Sequence, residues 1–144
     1  MFERFESFTY LISKIHRCIR KIKTEEMSEF NLKSTHVSCL YFLYNEKSLT
    51  AKELCDLCGE DKGLMSRTID FLENNGFVIC NSKTAKKYKS PIELTEKGRQ
   101  VGESITIKIK KILDLASEGL SDDNRVILYE SLNLISNNLE RICY

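Results

Sequence analysis

Apolar residues recur along much of this chain at steps of three and four residues, which is the spacing of one face of an α-helix. One such stripe runs from Phe5 to Ile22, and another runs from Leu128 to Ile142. Residues 34–46, in contrast, are apolar on nearly all sides, which predicts a helix buried in the core. The pattern therefore predicts long amphipathic helices at both ends of the chain and a buried helix after the first of them.

The middle of the chain carries the start and stop signals of two short helices. "TAKE" places Thr50 at an N-cap and Glu53 three residues later, where its carboxylate reaches back to the cap in a capping box. Gly59 supplies the left-handed residue that commonly ends a helix, Asp61 caps the next helix, and Gly76 ends that one. Two short helices joined by about three residues that include a glycine predict a helix-turn-helix.

A β-hairpin is predicted directly after these helices. "FVICNS" and "SPIELT" have the pattern of strands, and Pro91 stands near the start of the second, where a missing N–H group is tolerated. The segment between them, "KTAKKYK", is polar and strongly basic. Thr95 then caps a long helix that Gly119 ends, and Ser121 begins the last helix. The predicted fold class is mainly α with a small β wing, a winged helix-turn-helix embedded in an all-helical region.

The totals of the 144-residue chain add little to this picture. One domain of ordinary size accounts for the length, and 22 Lys and Arg against 21 Asp and Glu give no overall charge that favours nucleic acid. No apolar run approaches the ~20 residues of a membrane span, and no secretory signal opens the chain. The six cysteines are therefore expected to be reduced thiols in a cytoplasmic protein. Any nucleic-acid site must come from local clustering of basic residues.

The helix that begins after Asp61 has the features of a DNA recognition helix. Its first turn is small and polar, so the backbone can approach a phosphate, and its N–H groups and dipole favour an anion there. Arg67 can pair with both acceptor atoms of a guanine, and Ser66 can reach a base or a phosphate. Basic side chains of a wing can follow phosphates or enter a narrow minor groove. The candidate DNA-binding residues are Lys62, Gly63, Ser66 and Arg67 on the helix and Lys83, Lys86, Lys87, Tyr88 and Lys89 in the wing.

The order of elements and two segments, "DKGLMSRTIDFLENNGFV" and "LTEKGR", resemble the MarR/SlyA family of bacterial transcriptional regulators. The resemblance covers nearly the whole chain and implies a single domain over residues 1–144. It implies dimerisation helices at 1–31 and 95–144, with a buried helix and the winged helix-turn-helix at 34–94. It also implies a homodimer that binds a pseudo-palindromic operator in double-stranded DNA, often as a repressor released by a small aromatic ligand or by thiol oxidation.

Two positions depart from the pattern of the family. Members usually carry small hydroxyl residues at the positions of Gly63 and Ser66, so at Gly63 the backbone N–H group is left to make the contact. Arg67 matches a frequent DNA-contacting arginine. The family wing commonly carries an Asp and an Arg, whereas "KKYK" has neither. One of the wing lysines is then expected to replace the arginine, with less planar and less specific contacts.

The apolar stripes of the first and last helices exceed what a small winged core needs to cover itself. Pairing them across a two-fold axis would bury both stripes and set two recognition helices about one DNA turn apart, ~34 Å. An intramolecular bundle is the alternative. The residues predicted for the dimer interface are Phe5, Phe8, Ile12, Leu132, Ile135, Leu139 and Ile142.

The cysteines form no pattern that is typical of a metal site. "CDLC" holds Cys55 and Cys58, but a zinc site requires four ligands, and the nearby candidates are Cys80 and Cys39. Buried cysteines that act as small hydrophobic residues are therefore favoured over metal or redox chemistry. The candidate sensor thiols are Cys18 in the first helix and Cys143 at the end of the last.

The two histidines, His16 and His36, stand apart from any serine, cysteine or paired acid that would suggest catalysis. Each is predicted to lie at the surface or in an interface, and the chain is expected to be neither an enzyme nor a carrier of a cofactor or metal. The resemblance implies an effector pocket between the dimerisation helices and the winged domain, where aromatic walls suit a planar ligand. Its candidate lining residues are Tyr10, His16, Tyr41 and Tyr44.

The sequence as a whole favours a homodimeric, sequence-specific DNA-binding transcriptional regulator. The alternative is a winged-helix module that binds protein rather than DNA, in which the basic side chains are solvated surface residues. The near-neutral charge and the altered wing leave this alternative open. Salt dependence separates the two, because phosphate contacts make DNA affinity fall steeply as salt rises.

Overall fold

The computed structural model describes residues 3–81 and 89–144, without the side chain of Phe5. Helix α1 spans Arg4–Glu26 and is followed by a 3₁₀ turn at Ser28–Phe30, helix α2 (Ser34–Glu46), strand β1 (Ser48–Leu49), helix α3 (Ala51–Cys58) and helix α4 (Lys62–Asn74). Strands β2 (Val78–Cys80) and β3 (Ile92–Leu94) precede helices α5 (Glu96–Ala116) and α6 (Asp122–Cys143). This order confirms the predicted fold class, mainly α with a small β wing.

The ends of α3 and α4 follow the predicted signals. Thr50 Oγ1 accepts a hydrogen bond from the Glu53 N–H group at 3.2 Å, and Glu53 Oε2 accepts one from the Thr50 N–H group at 2.7 Å, which completes the capping box. Gly59 ends α3 in the left-handed conformation, with φ 64°. Asp61 Oδ1 then accepts a hydrogen bond from the Leu64 N–H group at 2.8 Å and caps α4. The helix-turn-helix is thus set by local hydrogen bonds that the sequence specifies.

The described strands form one antiparallel sheet in the order β1-β3-β2. Val78 lies opposite Leu94, and Cys80 lies opposite Ile92. On the other edge of β3, Leu49 of β1 also lies opposite Ile92. Strand β1 was not predicted, because its two residues are too few to show the alternation of a strand.

The chain divides into two compact units, Met1–Ile107 and Lys108–Tyr144. In the first unit the core forms around α2, as its apolar pattern predicted. Val37, Leu40 and Leu43 of this helix are at most 1 % exposed. The core residues that α3, α4 and α5 contribute, each fully buried, are Leu54, Met65, Leu72 and Ile105.

The second unit holds the last part of α5 and the whole of α6. No residue of α6 is buried, and its apolar side chains face solvent in the single chain. Leu132 is 37 % exposed and Leu139 is 47 % exposed. Helix α1 of the first unit likewise leaves Phe8 and Ile12 exposed. Despite these apolar faces, none of the helices in the described ranges is long and apolar enough to cross a lipid bilayer.

His36 is buried, so the prediction that it lies at the surface or in an interface was wrong. Its side chain is 8 % exposed, and its ring stacks on Phe71 of α4 with the ring centroids 4.1 Å apart. Nδ1 of His36 accepts a hydrogen bond from the Lys33 N–H group at 3.0 Å and satisfies a donor at the start of α2. These partners are not visible as a pattern around His36 in the sequence. His16, in contrast, is exposed as predicted.

The burial of His36 predicts that acid weakens the fold. Desolvation, aided by the charge of Lys33, lowers the pKa of His36 below its ordinary value of 6.5. Between the two pKa values the unfolded chain binds more protons than the folded one, so this contribution to stability is complete above pH 6.5 and is lost as the pH falls below it. In urea titrations at about pH 7.5 and about pH 5.5, the wild type should lose more unfolding free energy than His36→Gln, which keeps an acceptor but does not titrate. Equal losses in the two proteins would contradict this role.

Candidate nucleic-acid interface

Helix α4 has one face in the core and one in solvent. Met65 and Leu72 are fully buried, Thr68 is buried with them, and the Thr68 hydroxyl donates to the Leu64 carbonyl at 2.8 Å. The side chains on the opposite face point away from the core. The exposed residues there include all four that were predicted to bind DNA from this helix, Lys62, Gly63, Ser66 and Arg67.

The first turn of α4 is open at Gly63. A Cβ atom at this position would lie 3.2 Å from Asp61 Oδ1 and 3.7 Å from Arg67 Nη1. The absence of a side chain therefore leaves room for the guanidinium group of Arg67 to lie over the first turn of the helix. The turn presents backbone N–H groups at the positive end of the helix dipole together with a nearby arginine, which is a favourable arrangement for an anion.

The far end of α4 is fixed by residues of the "LTEKGR" segment. The Thr95 hydroxyl donates to the Gly76 carbonyl at 2.6 Å, and Lys97 Nζ donates to the Asn75 carbonyl at 2.9 Å. The Lys97 ammonium also lies 4.4 Å from the centroid of the Phe77 ring, within the range of a cation–π contact. We call these five residues the α4–α5 clamp. They connect the turn after the recognition helix to the start of α5.

Gly98 completes this connection by allowing close approach. Its N–H group donates to Thr95 Oγ1 at 3.0 Å, and a Cβ atom on Gly98 would lie 1.9 Å from the Phe77 carbonyl oxygen. Only glycine permits the backbone of α5 to pass so near the chain that leads into β2. The sequence showed Thr95 as a helix cap, but the partners of Lys97 and Gly98 depend on chain segments that are distant in sequence.

The described part of the wing is held by its strands and one side chain. Asn81 donates through its backbone N–H group to the Pro91 carbonyl at 3.1 Å and through Nδ2 to Glu93 Oε2 at 3.1 Å. Lys89 is exposed at the start of the returning segment. The other wing residues predicted to bind DNA, Lys83, Lys86, Lys87 and Tyr88, lie outside the described residues.

The residues predicted for an effector pocket are not brought together at one cavity. His16 lines a cavity of about 190 Å³ together with residues of α2 and the end of α3. Tyr10, Tyr41 and Tyr44 are absent from the lining of that cavity. Tyr10 is 60 % exposed on α1, and the other two tyrosines are half-buried on α2. Across the described ranges, no group of three or more His, Cys, Asp and Glu side chains is arranged to hold a metal ion.

Comparisons with known sequences point to one family. Residues 32–80, which include the helix-turn-helix, match the model of the MarR family. The HTH-type transcriptional regulator YwaE of Bacillus subtilis (strain 168) is 27% identical over 131 residues, which cover 91% of this chain and 77% of that protein. The regulator YwoH of the same organism is 28% identical over 114 residues, which cover 79% of this chain and 82% of that protein.

Solved structures share the fold over almost the full length. A MarR family regulator from Neisseria meningitidis has a TM-score of 0.84 and 18% identity, covering 98% of this chain and 96% of that one. A putative MarR family regulator from Listeria monocytogenes, solved in complex with a 26mer DNA, has a TM-score of 0.81 and 24% identity, covering 96% of this chain and 90% of that one. The family model over the helix-turn-helix and the fold over the whole chain together identify this protein as a member of the MarR family of winged-helix transcriptional regulators.

Proposed function

We propose that this protein is a homodimer that binds a pseudo-palindromic operator in double-stranded DNA and regulates transcription from it. The observation that carries the proposal is the exposed face of α4, where Lys62, Gly63, Ser66 and Arg67 face solvent while the opposite face is packed in the core. A major groove about 12 Å wide admits a helix presented in this way. The Listeria regulator of the same fold, which was solved with DNA, supports this use of the fold.

The two basic parts of the site are assigned different roles. Arg67 is proposed to read a base, because its guanidinium can donate two parallel hydrogen bonds to guanine. The first turn at Gly63 is proposed to hold a phosphate through backbone N–H groups. Lys89 is proposed to contact phosphates without regard to sequence, since an ammonium group is a point charge with no fixed fork of donors. The same phosphate-contacting role is proposed for Lys83, Lys86 and Lys87, with Tyr88 against a sugar or base.

This division of roles predicts different effects of two substitutions. Arg67→Ala is expected to lose about 1–3 kcal/mol of discrimination between the operator and a single-base variant of it. Lys89→Ala is expected to weaken binding to every duplex alike and to lower the slope of log affinity against log salt by about one per phosphate contact removed. Fluorescence anisotropy with operator, variant and unrelated duplexes at several salt concentrations measures both effects.

Two results of that titration would contradict the assignment. Equal losses from both substitutions on all duplexes would mean that Arg67 reads no base. Affinity that stays constant as salt rises would mean that phosphate contacts are not the basis of binding, and it would favour a protein partner instead. Glu73→Ala, on the exposed face near the other end of α4, serves as a matched control and should leave the discrimination unchanged.

The proposed homodimer rests on apolar faces that the single chain leaves in solvent. In α6 the stripe formed by Leu128, Leu132, Leu139 and Ile142 is exposed at every position, and in α1 Phe8 and Ile12 are exposed. Contiguous apolar surface of this kind commonly marks a protein interface. The residues proposed for the interface are Phe5, Phe8 and Ile12 of α1 with Leu132, Ile135, Leu139 and Ile142 of α6. The side chain of Phe5 lies outside the described part of the chain.

The proposed mode of action is repression by occupation of the operator, in the cytoplasm where the DNA is. Release is proposed to follow when a small planar effector favours a different spacing of the two recognition helices. His16 lines a cavity, which supports a role in effector binding for this residue. The corresponding proposal for Tyr10, Tyr41 and Tyr44 rests on the resemblance to the family alone.

A further inference from the structure

Three sulfur-containing side chains of the first unit lie together beside the helix-turn-helix. Cys39 of α2 and Met65 of α4 are completely buried, and Cys39 Sγ lies 3.5 Å from Met65 Sδ. The thiol of Cys39 also donates a hydrogen bond to the sulfur of Cys58, the last residue of α3. Cys58 is half-buried. A buried thiol and a partly accessible thiol are therefore already in contact.

Cys58 faces a cavity that carries positive charge. The cavity, of about 190 Å³, is lined by Cys58, Lys23, Arg20, His16 and Ser38 among others. Lys23 Nζ donates to Ser38 Oγ at 2.8 Å, which holds the ammonium group in this cavity. The volume is ample for water or a small peroxide, since one water needs only about 10–15 Å³ by this kind of measure. Small polar molecules can thus reach the sulfur of Cys58 beside a fixed cation.

The protonation preferences of the two thiols differ in the same sense as their exposure. The hydrogen bond from Cys39 lowers the pKa of Cys58, and the Lys23 ammonium lowers it further, against the opposing effects of burial and of Glu60. The same hydrogen bond and burial raise the pKa of Cys39. The thiolate therefore forms at the accessible sulfur, and the proton stays on the buried one. A thiolate beside a cation is the reactive form of cysteine.

We propose that Cys58 and Cys39 form a dithiol site that hydroperoxides oxidise to a disulfide. The Cys58 thiolate attacks one oxygen of the hydroperoxide, the O–O bond breaks, and the alkoxide or hydroxide that leaves takes up a proton. Cys58 is then a sulfenic acid. The sulfur of Cys39 attacks the sulfur of Cys58, the S–O bond breaks, and hydroxide leaves with the proton of Cys39 as water. The two cysteines lose two electrons and the peroxide gains them.

The disulfide would join two elements of the helix-turn-helix region directly. Cys39 lies in the central core helix α2, and Cys58 lies at the end of α3, next to the turn that leads to α4. The sulfur atoms must approach from hydrogen-bond contact to about 2.05 Å, so the end of α3 must shift toward α2. The site itself does not depend on the proposed DNA binding, and its test needs no DNA.

The test is treatment of the folded, full-length chain with hydrogen peroxide, followed by alkylation of remaining thiols and mass spectrometry of the peptides. The expected product has lost two hydrogen atoms and joins the peptide of Cys39 to that of Cys58. Cleavage after lysine leaves Cys55 and Cys58 on one peptide, residues 53–62, so the assignment is made in the Cys55→Ala variant. Cys58→Ser should abolish the disulfide, and Cys39→Ser should leave a sulfenic acid on Cys58 that a dione probe captures.

The exposed cysteines provide the matched controls. Cys18→Ser and Cys143→Ser remove exposed thiols and should leave the yield of the Cys39–Cys58 disulfide unchanged. The proposal would be overturned if Cys18 or Cys143 were oxidised faster than Cys58, or if Cys58→Ser still formed an intramolecular disulfide at the wild-type yield. Circular dichroism of each variant establishes that it is folded. If Cys39→Ser fails to fold, Cys58→Ser and the linked peptides of the wild type still decide the question.

Discussion

Alanine at Gly98 is expected to lower the free energy of unfolding by about 3 kcal/mol or more, the upper end of what overpacking costs. A Cβ atom at this position would lie 1.9 Å from the carbonyl oxygen of Phe77 and 2.9 Å from its carbonyl carbon. Both atoms belong to the backbone, so no side-chain rotation relieves the overlap. The start of α5 must move away from β2, which breaks the hydrogen bonds of the α4–α5 clamp. Urea denaturation measures the loss as a lower midpoint at unchanged slope.

Gly63→Ala is the matched control for this prediction. Both glycines lie in helices, where alanine is ordinarily favoured over glycine by about 1 kcal/mol. At Gly63 the nearest atoms to a new Cβ would be the side-chain oxygen of Asp61 at 3.2 Å and a side-chain nitrogen of Arg67 at 3.7 Å, and both can adjust. Gly63→Ala is therefore expected to change stability little. A Gly98→Ala protein as stable as Gly63→Ala would show that the close approach at Phe77 is not required.

Glutamate at Leu132 is expected to convert the proposed dimer to monomer at micromolar concentration. Leu132 lies in the apolar stripe of α6 and is 37 % exposed in the single chain. In a symmetric dimer each substitution occurs twice, and a carboxylate without a partner is costly to bury. The dissociation constant is expected to rise about 100-fold or more, which corresponds to about 3 kcal/mol. Sedimentation velocity over a range of concentrations measures the change.

Asn137→Glu is the control on the same helix. Asn137 is exposed on the side of α6 away from the Leu132 stripe, so the added charge there stays in solvent. This variant should remain as dimeric as the wild type. If Leu132→Glu were equally dimeric, the stripe of α6 would not be the interface. If both variants and the wild type were monomers, the homodimer itself would be rejected.

Much of the fold could be predicted from the sequence because its determinants are local. The capping box of Thr50 and Glu53, the left-handed Gly59 and the N-cap Asp61 each act within a few residues. The amphipathic pattern of α4 also separated its buried face from the face with Ser66 and Arg67. For these elements, knowing the nearest neighbours in the chain is enough.

The rest depends on contacts between distant parts of the chain. Strand β1 consists of Ser48 and Leu49, and it exists because β3 offers an edge to pair with. His36 is buried because Phe71 of α4 stacks on it, and no periodicity around His36 indicates that partner. The contact between Cys39 and Cys58 has the same origin, since "CDLC" drew attention to Cys55 as the companion of Cys58 instead. Such pairings follow from packing rather than from sequence pattern.

The measurement that tests the account most directly is selection of bound duplexes from a random pool with the purified dimer, followed by titration of the enriched duplex at low and high salt. The account predicts an inverted repeat whose half-sites are about one helical turn apart and an affinity that falls steeply as salt rises. A folded dimer that enriches no sequence, or that binds every duplex equally well, would contradict sequence-specific operator binding. It would leave the winged helix of this protein to a different partner.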